Sequence, residues 1–382
     1  MKKIVILIFV FLLTACSNSN IETFNKEKTF LGNINDENGD MVLLLNTETY
    51  ITTVSKEKKE KIISDAKDFI SKYHKLLDSH HHYKDESNNS INNILTLNEN
   101  IDNGPIIVDP IVIDALKEAI NLTYLTKGYF NLTIGNLSNL YHDKFLPYDS
   151  NNKDPKKEEI EDAINGIINY DELNNYIIID ETNNTVELKS KNDYRYTIDL
   201  GAFSKGYILD KLKKHLIDSY DTSFLVTAGS SSIVSYINEK EDVTWNVGIE
   251  DPNAKNSSLF VFNLNDGAVS TSGDYENYYL LDDGTRRHHI INPFTGYSEN
   301  YYRSCSIVSN NAYVIDALST ALFNIDDIDL RKEIVNDLQD FYNIEIDYCM
   351  IKDNYEILMK QSLKDKLIIE YSSNIIDKLI IE

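Results

Sequence analysis

Apolar residues recur at steps of three and four over residues 56–78, with Ile62, Ala66, Phe69, Tyr73 and Leu77 on one side. That period predicts an amphipathic helix. A second helix is predicted from Asp109-Pro110, a capping residue followed by proline at the first helical position. Its inward face would be Val112, Ala115, Leu116, Ala119 and Ile120, with Gly128 just past its end. Asp154-Pro155 repeats the start signal for a third helix, with Ile160, Ala163, Ile164 and Ile167 inward. The polar stretch 79–93, which contains His80-His81-His82, reads as a loop. Then the period changes. Two short apolar runs flank Thr182-Asn183-Asn184 as in a hairpin. Residues 194–200 read as a strand that enters Gly201 and then a helix with Ile208, Leu209, Leu212 and Leu216 inward. Strands are predicted at 224–227, 245–249 and 259–264, helices near 311–323 and 329–341, and a last hairpin turning at Asp353-Asn354. Strands and helices that mix without regular βαβ repetition predict an α+β fold.

The first residues carry a separate signal. Lys2 and Lys3 precede an unbroken apolar run of ten residues, 4–13, too short to cross a bilayer as a helix. Leu13-Thr14-Ala15-Cys16 follows, the shape of a secretory signal with a small-residue cleavage site. A cysteine immediately after Leu-Thr-Ala resembles the bacterial lipobox, which implies a lipid on Cys16 and a protein held at the extracytoplasmic face of the cell membrane. The expected organisation is a signal peptide at 1–15, a polar tether at 16–35, one catalytic domain at 36–360 and an extension at 361–382 whose role is open. That extension repeats Asp365-Lys366-Leu367-Ile368-Ile369-Glu370 at Asp377-Lys378-Leu379-Ile380-Ile381-Glu382, two units that are too few for a solenoid.

Composition narrows the partners. The 37 basic and 61 acidic residues give a formal net charge of −24, and no basic block follows Lys3, which argues against nucleic acid as a partner. Cys305 and Cys349 have neither CxxC nor zinc-ligand spacing. Their sequence positions leave a single bridge between them open.

Four segments carry candidate chemistry. In Thr197-Ile198-Asp199-Leu200-Gly201-Ala202-Phe203-Ser204-Lys205-Gly206-Tyr207 a predicted strand enters a glycine turn and a helix, an arrangement that favours phosphate. It is not a Walker A loop, because Tyr207 stands where that motif needs lysine. An ordinary strand-to-helix turn with a surface lysine fits this segment equally well. Thr271-Ser272-Gly273-Asp274 reads as a small polar turn. Arg286-Arg287-His288-His289 precedes an apolar pair and a Pro/Gly turn. His288 is expected as an exposed neighbour and His289 as the candidate acid or base, beside the alternative of a structural histidine. Asp316 and Thr320 are one turn apart on a helix that is apolar nearly all round. A buried carboxylate needs a partner or a metal, and this oxygen set suits Mg²⁺. A neighbouring cation on Asp316, with Thr320 bonded to its own backbone, is the plain alternative.

Taken together and in order, these segments resemble the motifs of the FAD:protein FMN transferases, the ApbE family. Weaker likenesses lie at Leu77-Asp78 with Tyr83, at 90–98, and at Gly128-Tyr129-Phe130-Asn131-Leu132-Thr133. The chain departs from the family pattern at Asn131, at Ala228-Gly229-Ser230-Ser231-Ser232 and at Asn292, which bears on flavin contacts near 129–131 and 228–232. The resemblance implies a single bilobed α+β domain. It implies Mg²⁺ held by Asp316, Thr320 and the Ala202 carbonyl, and FAD as substrate among Tyr83, Phe130, Asn131, Lys205 and His289. Lys205 and His289 would assist the chemistry. It also implies a flavoprotein acceptor outside the cytoplasm, whose Thr or Ser hydroxyl receives FMN. A FAD pyrophosphatase and a surface lipoprotein that binds a small ligand without chemistry are the alternatives.

Overall fold

Nine strands form the main sheet, and their spatial order is their chain order: Thr29–Phe30, Thr49–Thr53, Phe224–Ala228, Ser232–Tyr236, Gly267–Gly273, Ser304–Ser309, Asp347–Ile351, Ile357–Met359 and Leu379–Ile381. Neighbours are antiparallel except the last, where Leu379–Ile381 runs parallel to Ile357–Met359. The computed structural model describes residues 27–142, 153–192, 194–254, 257–370 and 378–382. The leader and Cys16 lie outside the described residues, and no described helix is long and apolar enough to cross a membrane.

Both faces of the sheet are covered. Val226, Val234, Ala268 and Ile307 share one core with the helices Lys59–Leu77, Ser204–Ser219 and Ala312–Phe323. Val269, Val308, Cys349 and Ile351 share another with a three-stranded sheet of Asn246–Glu250, Ser258–Asn263 and Leu367–Glu370. Successive residues of a strand face opposite sides. Cys305 therefore lies on the helix side and Cys349 on the other, and both thiols are free and buried. The α+β class read from the sequence is the class observed.

Most helices form where the apolar period places them. Asp109 caps Pro110–Leu125 by accepting from the Ile111 amide at 2.9 Å. The third predicted helix starts at Lys157, not at Asp154, because the Asp154 carboxylate is held instead by Arg287 and Tyr279. Residues 194–200 do not form a strand and carry only isolated bridges, at Tyr194 and Thr197. The Asn98 side chain bonds both the amide and the carbonyl of Ile198, while Asp199 N–H and the Thr197 carbonyl go to Leu132 and Gly135. Thr271-Ser272-Gly273 is not a turn but part of a central strand. That strand and its neighbours Ser232–Tyr236 and Ser304–Ser309 were not legible, because serine-rich runs lack an apolar alternation. The two copies of the C-terminal repeat end on different sheets, as Leu367–Glu370 and Leu379–Ile381. Glu382 closes the second with bonds to Arg331 at 3.0 Å and to the Tyr348 hydroxyl at 2.7 Å; Arg331 and Tyr348 are buried, as is the side chain of Glu382.

The helices Ser204–Ser219 and Ala312–Phe323 meet at Gly206. A Cβ there would stand 2.4 Å from the Ala312 carbonyl oxygen and 2.6 Å from Asp316 Cβ. Gly206→Ala is expected to lower the unfolding free energy by about 1–3 kcal/mol, as overpacking does. Urea denaturation checks this, and an unchanged midpoint would mean the helices separate at no cost.

Candidate active site

A cavity of about 420 Å³ opens beside that helix contact. Its wall brings together seven of the residues singled out above: Phe130, Asn131, Ala202, Lys205, His289, Asp316 and Thr320. Four separate stretches of chain supply them, and the main sheet with its covering helices is what aligns those stretches.

Asp316 is 5% exposed, and no basic side chain lies within ion-pair distance of it among the described residues. Neutral donors hold it instead. Oδ2 accepts from the Gly206 amide at 2.8 Å. Oδ1 accepts from Ser270 Oγ at 2.7 Å and from Ser232 Oγ at 3.2 Å. The Gly206 amide is third in the helix Ser204–Ser219, one of the first-turn donors that have no partner within their own helix. Ala202 lies just before the helix, and among the described residues no donor reaches its carbonyl. Thr320 Oγ1 lies 3.4 Å from Ser272 Oγ and is not bonded to its own helix. A carboxylate without a cationic partner, a carbonyl without a donor and a hydroxyl on one cavity wall form an all-oxygen set that fits a hard cation.

Lys205 stands in the first turn of its helix, with Nζ 3.2 Å from the Gly201 carbonyl and no carboxylate within ion-pair distance among the described residues. Its charge is available to an anion. Of the two histidines, His289 lies where it was expected and His288 does not. His288, expected as the exposed neighbour, is completely buried. Its Nε2 lies 2.8 Å from the Glu299 carbonyl oxygen and its Nδ1 accepts from the Ile290 amide at 3.3 Å. That arrangement fits only the neutral ring, and burial pushes its pKa down to about 3. His289 lines the cavity and is exposed there. Desolvation by the surrounding protein, and then the charge of Lys205, lower its pKa from the usual histidine value. Arg286 and Arg287 are held by Asp274 and Asp154, and Arg303 also holds Asp274. Neither those arginines nor Asp274 faces the cavity.

One expected flavin contact lies away from the cavity, and another is held by its neighbours. Tyr83 is 1% exposed and does not line the cavity. Its hydroxyl donates to Asp78 Oδ2 at 2.7 Å and lies 3.0 Å from His74 Nε2, so the ring is drawn inward. Burial opposes the charge on Asp78, but bonds from His74, Tyr83, the His80 amide and His81 outweigh it and hold the carboxyl well below the usual range. Asn131 does line the cavity, yet its amide is engaged by the Ile168 carbonyl, the Thr133 amide and the Thr133 hydroxyl. It fixes the loop under Phe130.

The sequence did not single out Asn46, His80, Ser138 or His142, which also line the cavity. Leu45 and Asn46 adopt left-handed φ of 59° and 56°, uncommon without glycine, and the Leu45 amide is held by His74 Nδ1 at 3.0 Å. Nothing in the local sequence announces that corner. His80, read as loop, stacks on His142 with ring centroids 5.8 Å apart.

A cavity of this make, walled by a lysine at a helix start with no carboxylate partner among the described residues, an open histidine and a neutral-held carboxylate, is suited in charge and size to a small anionic ligand. The chain belongs to the ApbE family, whose model matches residues 45–340. It is 29% identical over 231 residues to the FAD:protein FMN transferase of Vibrio cholerae, covering 59% of this chain and 64% of that one. It is 28% identical to that of Escherichia coli K12, covering 60% and 63%. The match thus spans under two thirds of these curated relatives. Among solved structures, the ApbE protein of Thermotoga maritima superposes with a TM-score of 0.70 at 26% identity, over 89% of this chain and 99% of that one. The flavin transferase ApbE from Vibrio cholerae gives 0.66 at 21%, over 90% and 100%, a likeness of fold.

The His288 geometry sets a pH dependence. As pH falls below about 6.5, the unfolded chain protonates this ring while the folded chain does not until about pH 3. Stability contributed by the neutral ring is therefore present above pH 6.5 and lost on acidification between those values. Replacing it as His288→Gln should flatten the slope of unfolding free energy against pH there by up to about 1.4 kcal/mol per pH unit. Denaturation series at several pH values check it, and an unchanged slope would contradict a buried neutral ring.

Proposed function

We propose that the protein binds FAD with Mg²⁺ in this cavity and transfers FMN to a Thr or Ser hydroxyl of an acceptor protein outside the cytoplasm, releasing AMP. The observation that carries the reading is the meeting of Asp316, Thr320 and the donor-free Ala202 carbonyl with Lys205 and His289 on one wall, in a member of the ApbE family. Relatives bearing the name FAD:protein FMN transferase support the choice of donor.

Asp316, Thr320 and Ala202 would hold the cation, which when bound neutralises charge across the two phosphates and on the leaving group. Lys205 and the first turn of its helix bind the pyrophosphate. Phe130 and Tyr129 offer aromatic wall to the flavin or adenine. The acceptor oxygen attacks the phosphorus on the riboflavin side, a new P–O bond forms, and the bond to AMP breaks. The hydroxyl proton passes to His289. Desolvation first, and then the charge of Lys205, lower its pKa, which favours the neutral ring that can accept a proton.

The leader supports a place for the reaction. Cys16, if lipidated, tethers the enzyme at the outer face of the cell membrane, where a covalent flavin is retained and a free one diffuses away. Acceptors that fit are FMN-binding domains of membrane electron-transfer systems.

The test combines the protein with FAD, Mg²⁺ and such an acceptor domain. The expected result is in-gel flavin fluorescence on the acceptor, a mass gain of one FMN, one AMP released per label, and loss of all three in EDTA. AMP released without labelling would reassign the protein as a pyrophosphatase. Intact FAD across several acceptors would reduce it to a binding protein.

A further inference from the structure

We propose, resting on the metal reading above, that Ser232 and Ser270 set the cation selectivity of the Asp316 site. By filling both acceptor positions of Oδ1 they leave the carboxylate one free oxygen, which favours Mg²⁺ over Ca²⁺.

The strands Ser232–Tyr236 and Gly267–Gly273 pair so that Ser232 stands directly opposite Ser270. Both hydroxyls leave the sheet on the face covered by the helix Ala312–Phe323, and both residues are 2% exposed. They converge on the same atom, Asp316 Oδ1, at 3.2 and 2.7 Å. A carboxylate oxygen has two lone-pair sites. Oδ1 is therefore full. Oδ2 accepts one bond, from the Gly206 amide, and keeps one lone pair free.

The count of free oxygens decides what ion the site prefers. Mg²⁺ demands near-octahedral geometry and takes one oxygen from a carboxylate, keeping waters for the rest. Ca²⁺ takes six to eight oxygens and gains from bidentate carboxylates. A ladder of hydroxyls that saturates Oδ1 denies Ca²⁺ the second oxygen. Serine suits this task because it donates without bringing charge, whereas lysine or arginine would cancel the carboxylate and compete with the ion. The next hydroxyl on the same strand face, Ser272, lies 2.9 Å from Ser319 Oγ and 3.4 Å from Thr320 Oγ1. The same ladder thus also orients the other side-chain ligand. Hydroxyls that served only to satisfy a buried carboxylate would affect stability, not the ratio of two cation affinities.

The experiment titrates the full protein with Mg²⁺ alone and with Ca²⁺ alone, by calorimetry and by the metal-induced shift in melting temperature. The variants are Ser232→Ala/Ser270→Ala, Ser232→Ala alone, and Ser270→Thr. The expected result is a wild-type preference for Mg²⁺. In the double variant Mg²⁺ binding should weaken by roughly 10–100-fold, as for other residues that orient metal ligands, and the Mg²⁺/Ca²⁺ affinity ratio should fall at least tenfold. Ser232→Ala, which breaks only the longer bond, should move the ratio the same way by less, and gives a readout if the double variant does not fold. Ser270→Thr, which keeps the hydroxyl, should retain the wild-type ratio. A ratio unchanged in the alanine variants, with Mg²⁺ still bound by the wild type, overturns the selectivity role alone. A wild type that binds neither ion overturns the metal reading and the selectivity with it.

Discussion

The bond from the Gly206 amide to Asp316 Oδ2 is the interaction on which the site depends. It joins two helices that run under the same sheet, and it exists only because residue 206 has no side chain to keep them apart. It gives a partner to one of the first-turn amides that a helix leaves unsatisfied. One hydrogen bond therefore links helix packing to the orientation of the carboxylate. Three neutral donors surround Asp316 in its buried place, and among the described residues no cationic side chain pairs with it.

The rest of the architecture supports that arrangement. A sheet covered on both faces can carry hydroxyls inward, provided each finds a partner. Ser232, Ser270 and Ser272 find theirs on the helix Ala312–Phe323. Across the cavity the electrostatics run the other way. Among the described residues Lys205 has no carboxylate partner, in a chain of net charge −24, and the pKa of His289 beside it is lowered by desolvation and then by Lys205. An anion entering the cavity meets a positive helix start on one side and a carboxylate fit for a cation on the other.

Legibility in the sequence followed physical origin. Helices with a clear 3.6-residue period, such as Lys59–Leu77 and Ala312–Phe323, were readable, as was the Asp109 cap. The Asp316/Thr320 pair showed itself because two polar residues one turn apart are conspicuous in an apolar helix. The central strands were hidden, since their serines face helices rather than water and break the alternation that marks a half-buried strand. Tertiary contacts decided what local signals could not. Asp154 looked like a cap and became an ion-pair partner of Arg287. His288 looked exposed and became core. Tyr83 looked like a flavin contact and turned inward to Asp78. The left-handed corner at Leu45-Asn46 has no sequence mark, because His74, distant in the chain, holds it.

The most direct measurement is a calorimetric Mg²⁺ titration of the wild type and of Asp316→Ala, with circular dichroism and a denaturation curve on the same samples. The account predicts that the variant stays folded, binds no Mg²⁺ and loses Mg²⁺-dependent cleavage of FAD. A folded variant that still binds Mg²⁺ and turns over FAD in an EDTA-sensitive way, or wild-type turnover that survives EDTA, would contradict it.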